Sequence, residues 1–121
     1  MTCSRRKKMT NKDKGIIEGI LNEAFAAAEK ATDDYLKKYP DNWFPCGFAW
    51  VRFEGRSPVV TVLKERFGPR AGHKGYPKGW DLWNPSGNNT QCMDAKMAGA
   101  RAFADRMEAA GYKCYADGRM D

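Results

Sequence analysis

The hydrophobic period of this chain changes abruptly near its middle, and that change limits the folds open to it. Ile16, Ile17, Ile20, Leu21, Ala24, Ala28, Ala31 and Tyr35 recur at three- and four-residue steps, the spacing of one face of a helix. Beyond Pro40 and the turn-forming Asp41 and Asn42, the run CGFAWVRFE alternates instead. Ala49, Val51 and Phe53 then lie on one side of a strand, and Phe48, Trp50 and Arg52 on the other. A long amphipathic helix followed by a half-buried strand predicts an α+β fold, with helices covering one face of a sheet.

The remaining elements follow from local signals. Thr10 and Asp13 have the spacing of a capping box, so the first helix is expected over about 12–38, closed by Pro40. After the turn Gly55, Arg56, Ser57, Pro58, the run VVTVLKERF is β-branched up to Leu63, which predicts a second strand forming a hairpin with the first. Residues 67–79 hold four Gly and two Pro and are expected as a long irregular loop. Trp80 to Trp83 alternates as a third strand. Asn89 or Thr90 is expected to cap a second helix, carried by Met93, Met97, Ala100, Ala104 and Met107 with Phe103 widening the stripe, and Gly111 sits where it should stop. YKCYA alternates as a final short strand. The fold expected is a small antiparallel sheet of three to four strands with two helices packed on one face, in the order α-β-β-β-α with a last β. Small residues on both helices (Ala24, Ala27, Ala28 and Ala31; Ala95, Ala98, Gly99 and Ala102) suit a close helix–helix approach.

One hundred and twenty-one residues, 42% of them hydrophobic, suffice for one core that needs neither metal nor disulfide. The expected organisation is a flexible basic arm over 1–14 and a single domain over 15–121. No apolar run approaches the ~20 residues that span a bilayer, and no apolar segment follows the basic N-terminus, so the reading is a cytoplasmic protein with no membrane partner. Cys3, Cys46, Cys92 and Cys114 are far apart in sequence, without a C-x-x-C pair, and His73 is the lone histidine. That composition excludes a zinc ribbon or finger and suggests reduced, buried thiols and no cofactor.

Charge is the strongest pointer to function. The formal net charge is +6. It is concentrated in two blocks: the arm, with Arg5, Arg6, Lys7, Lys8, Lys12 and Lys14, and residues 46–80, where Arg52, Arg56, Lys64, Arg66, Arg70, Lys74 and Lys78 face only Glu54 and Glu65. The second block also carries Phe48, Trp50, Phe53, Phe67, Tyr76 and Trp80. Phosphate oxygens need Lys or Arg donors and unstacked bases need flat side chains, so cations interleaved with aromatics suit nucleic acid, DNA or RNA. The candidate contacts are Arg52, Lys64, Arg66, Arg70, His73, Lys74 and Lys78, with Tyr76 and Trp80 as stacking residues. Trp43, Trp80 and Trp83 support a second reading, a protein–protein module such as a viral or mobile-element inhibitor acting on a host protein or nucleoprotein. A third is a small hydrolase or nuclease using His73 or converging carboxylates among Glu54, Glu65, Asp81 and Asp94. GPRAGHKG is not a phosphate-binding P-loop, because Gly75 stands where a hydroxyl residue must follow the lysine.

The α-β-β-β-α order resembles that of double-stranded-RNA-binding domains, and AKMAGARAFA (95–104) resembles the small-residue helix with which that family ends. The family starts that helix with lysines. Here Gln91, Cys92, Met93 and Asp94 occupy the start and only Lys96 is basic, so the resemblance implies a fold and carries no residue roles.

Overall fold

The structure, a computed structural model, describes residues 9–40, 46–76 and 78–120. Residues 1–8 of the expected arm, and Trp43, lie outside it. Helix α1 runs Asn11–Lys38 and is opened by a complete capping box: the Asp13 amide donates to Thr10 Oγ1 at 3.1 Å and the Thr10 amide to Asp13 Oδ2 at 3.2 Å. The last residues of the expected arm are therefore helical. Its buried stripe is Ile17, Leu21, Ala24, Phe25, Ala28 and Thr32, which leaves Ile16 exposed.

Strand β1 (Gly47–Phe53) forms as the alternation predicts, with Gly47, Ala49, Val51 and Phe53 buried and the residues between them half-buried. The next element corrects the sequence reading. Pro58–Arg66 is a helix, α2, where a strand was expected, and the β1 hairpin does not exist. Ser57 caps it by accepting from the Val59 amide, and Pro58 supplies a preset φ at the first turn. Val59, Val60, Val62 and Leu63 are all buried there, and that burial outweighs their modest β preference. The expected loop is also partly regular: a 3-10 turn spans Gly68–Arg70, and β2 (His73–Lys74) pairs with β3 (Trp80–Trp83). Helix α3 covers Met93–Ala109, capped by the Cys92 sulfur rather than by Asn89 or Thr90, with Gly111 in the left-handed region at φ 93° just beyond its end. Strand β4 (Cys114–Met120) completes a fully antiparallel sheet in the order β2-β3-β1-β4.

The fold is α+β with a four-stranded sheet, as expected, and a third helix takes the place of a strand. The element order is α-β-α-β-β-α-β, so the resemblance to double-stranded-RNA-binding domains ends at the second element. All three helices contribute to one core, in which Phe103 of α3 meets Phe53 of β1 (ring centroids 6.3 Å apart) and Phe25 of α1 (5.0 Å).

Glycines set how closely these layers approach. A Cβ at Gly47 would meet the Met93 sulfur at 2.8 Å, and one at Gly118 would meet the Met97 sulfur at 2.7 Å, so α3 lies directly on the β1–β4 pair. A Cβ at Gly99 would collide with Thr32 Oγ1 and lie 3.0 Å from the Ala28 carbonyl oxygen of α1. Thr32, fully buried, donates at 2.8 Å to the Ala95 carbonyl across the same contact. Gly99→Ala should therefore destabilise the protein by about 1–3 kcal/mol despite alanine's higher helix propensity, as measured by urea unfolding. The exposed Gly19→Ala, whose Cβ meets nothing, should be neutral or stabilising.

Candidate nucleic-acid interface

Directly opposed residues of an antiparallel pair project to the same side of a sheet. The register opposes Trp50 to Trp83 and Asp117, Arg52 to Asp81 and Tyr115, Phe48 to Arg119, and His73 to Asp81. All nine residues consequently share the face turned away from the helices. Trp50 and Trp83 stack with ring centroids 4.8 Å apart and planes inclined by 24°. Phe48 packs edge-on against Trp83 at 5.5 Å, the His73 ring approaches Trp83 at 5.9 Å, and the Arg119 guanidinium lies 5.9 Å from the Phe48 centroid. Trp83 and Tyr115 are exposed. The Trp50 indole N–H is buried with no acceptor among the described residues, a costly arrangement within a face that is otherwise well paired.

At the centre of the face Arg52 grips Asp81 bidentately, Nε to Oδ1 at 2.6 Å and Nη2 to Oδ2 at 2.8 Å. Asp81 is nearly buried, and its hydrogen bonds hold the Arg52 guanidinium even more firmly protonated than usual. A Cβ at Gly75 would stand 2.8 Å from the Asp81 carboxylate, so the β2–β3 turn can fold over this ion pair only with glycine at that position.

Arg52 and Tyr115 also line a groove of about 890 Å³ at the end of the sheet, with Arg56, Lys78 and Lys113 against Glu54 and Glu108. Arg56, Lys78 and Lys113 make no ion pair with another described residue. Cys114 forms part of the wall. Burial, with Glu108 and Asp105 nearby, pushes its thiol up to about 12, so it stands as a neutral donor near the Ala104 carbonyl.

The structure divides the residues singled out from the sequence. Arg52 and His73 are on the open face, Lys78 is in the groove, and Lys74 and Tyr76 are exposed on the β2–β3 hairpin. The other four serve the helical side. Lys64 lies over the Trp80 ring at 4.5 Å, and Trp80 donates its indole N–H to the Ala71 carbonyl at 2.7 Å. Arg70 stacks on Phe25 at 3.8 Å, and Arg66 pairs with Glu18 at 2.8 Å. The aromatic stack of Phe48, Trp50 and Trp83, with Tyr115 and Arg119, was not among the expected contacts. Its sequence signal was the alternation that placed Phe48, Trp50 and Arg52 on the outer side of β1.

The carboxylates considered for hydrolysis are dispersed. Asp81 is held by Arg52, Asp94 accepts from Tyr35 Oη at 3.4 Å, Glu65 pairs with Lys14 at 2.9 Å and Glu54 borders the groove. Among the described residues no group of three His, Cys, Asp or Glu side chains is placed to hold a metal ion, and no helix is long and apolar enough to cross a membrane. Comparison of the chain with protein-family models, with curated proteins and with solved structures finds no match in any of the three.

Two measurements check this geometry. Asp81→Asn leaves Arg52 without its counter-ion and should cost about 2–3 kcal/mol in urea unfolding, at the low end for a buried pair because the guanidinium keeps some solvent contact. The Cys114 thiol, raised in the folded state, contributes stability that is complete below about pH 9 and lost as the pH climbs towards 12. Cys114→Ala should flatten that part of the stability–pH curve.

Proposed function

We propose that this protein is a non-enzymatic binder of single-stranded nucleic acid, and that the open sheet face is the surface it uses. The observation that carries the reading is the Trp50–Trp83 stack, flanked by Phe48 and His73, on a face with no described helix over it. Flat side chains there offer platforms for unstacked bases, each worth about 1–3 kcal/mol by alanine substitution. Charge complementarity supports a polyanion as occupant: Arg119 borders the stack on the β4 side, and Arg56, Lys78 and Lys113 line the groove at the sheet end, while Lys74, opposed to Trp80, projects to the other side of the sheet. A phosphate backbone crossing the sheet would meet Arg119 and the groove cations. The buried indole N–H of Trp50, without an acceptor, suits a face that is completed by a ligand. Its setting is inside the cell, where single strands are found.

A second reading, a protein partner on the same face, draws on the exposed apolar surface of Trp83, Tyr115 and Met120. Tryptophan fluorescence titrations with single-stranded and duplex DNA and RNA at several salt concentrations separate the two. Nucleic-acid binding predicts quenching by single strands, with affinity falling steeply as salt rises. Trp83→Ala should weaken it about tenfold with little change in thermal stability, and Arg119→Glu with Lys78→Glu should flatten the salt slope. Binding to no oligonucleotide at low salt, or binding untouched by Trp83→Ala, would overturn the assignment in favour of the protein partner.

A further inference from the structure

Cys46 and Cys92, far apart in sequence, are Cα partners in an isolated antiparallel bridge where the chain enters β1 and α3 begins. The type of bridge matters. The Gly47 amide donates to the Gln91 carbonyl at 3.3 Å, linking the residue after Cys46 to the residue before Cys92. That pattern makes Cys46 and Cys92 a non-hydrogen-bonded pair, the kind in which opposed Cα atoms sit about 4.5 Å apart and the side chains lie on one side. A disulfide accepts Cα separations of roughly 4.4–6.8 Å, a range that takes in pairs of this kind. Both thiols are free in the structure, Cys46 exposed and Cys92 buried. Cys46 Sγ leans towards Gln91 Oε1 at 3.5 Å and Cys92 Sγ accepts from the Ala95 amide at 3.4 Å, contacts that a rotamer change releases.

We propose that Cys46 and Cys92 form a reversible disulfide, made by exchange with a small-molecule disulfide such as oxidised glutathione. The two cysteines divide the steps between them. The exposed Cys46, as thiolate, attacks the small disulfide, forms a mixed disulfide and expels one small thiolate. Cys92, the N-cap of α3, loses its proton to solvent. That thiolate then attacks the Cys46 sulfur, closes the protein disulfide and expels the second small thiolate. The product ties the start of β1 to the cap of α3, two residues before Phe48. Cys114, its thiol held neutral by burial, takes no part.

This inference does not depend on what the sheet face binds. The full-length protein is equilibrated in glutathione buffers from fully reduced to fully oxidised, alkylated, and mapped by proteolysis and mass spectrometry. The expected result is a product lighter by two hydrogens, with a Cys46–Cys92 cross-linked peptide, a thermal midpoint raised by about 10 °C and full reversal by reductant. Cys46→Ser should abolish all three. A chain that stays fully alkylated, that stops at a glutathione adduct on Cys46, or that links Cys46 to Cys3 or to a second molecule would overturn the proposal.

Discussion

At Gly99 the backbone of α3 comes so near to α1 that no side chain fits between them, and the rest of the molecule is arranged around that approach. Thr32 fills the space with a hydroxyl that bonds back to the α3 backbone at Ala95, so even the buried polar group of the contact is satisfied. Held there by α1, α3 presses its other side onto the sheet, where Gly47 and Gly118 admit Met93 and Met97. Every helix is thereby drawn to one side. The opposite face of the sheet is left to Phe48, Trp50, Trp83 and the polar residues that border them.

The uneven charge of the chain has a structural role that composition does not display. Glu18 and Glu23 of α1 receive Arg66 from α2 and Arg106 from α3, while Lys14 at its start reaches Glu65 of α2. Each such surface pair contributes little alone. Together they tie the helices to one another, and they engage Arg66 of the basic 46–80 block. Within that block, Lys74 of the hairpin and Lys78 of the groove face solvent.

Much of the fold was readable in local patterns. The capping box of Thr10 and Asp13, the period-two run into β1, the brief alternation of Trp80 to Trp83 and the strict spacing along α3 each describe short-range interactions that a sequence displays directly. The run VVTVL reads as a strand because β-branched residues fit a pleated surface, while the Ser57 and Pro58 before it are a helix start. Two patterns competed and burial decided between them. With a strand expected after β1, the Gly-rich segment becomes the expected exposed feature, whereas α2 leaves the outer side of β1 open beside β3 and β4.

What the sequence alone determined is the α+β class, the helical period of α1 and α3, and the division of β1 into a buried and an outer side, since all of these follow from the spacing of apolar residues along a single element. Tertiary structure alone decided which strands flank β1. By making β3 and β4 its neighbours it set Trp83 beside Trp50, Asp81 against Arg52 and Arg119 next to Phe48. It likewise brought Cys46 opposite Cys92. Those pairings join residues distant in the chain, and nothing in local propensity specifies them; they arise because three helices need one common apolar face, and the strand order that supplies it turns the aromatic side outward.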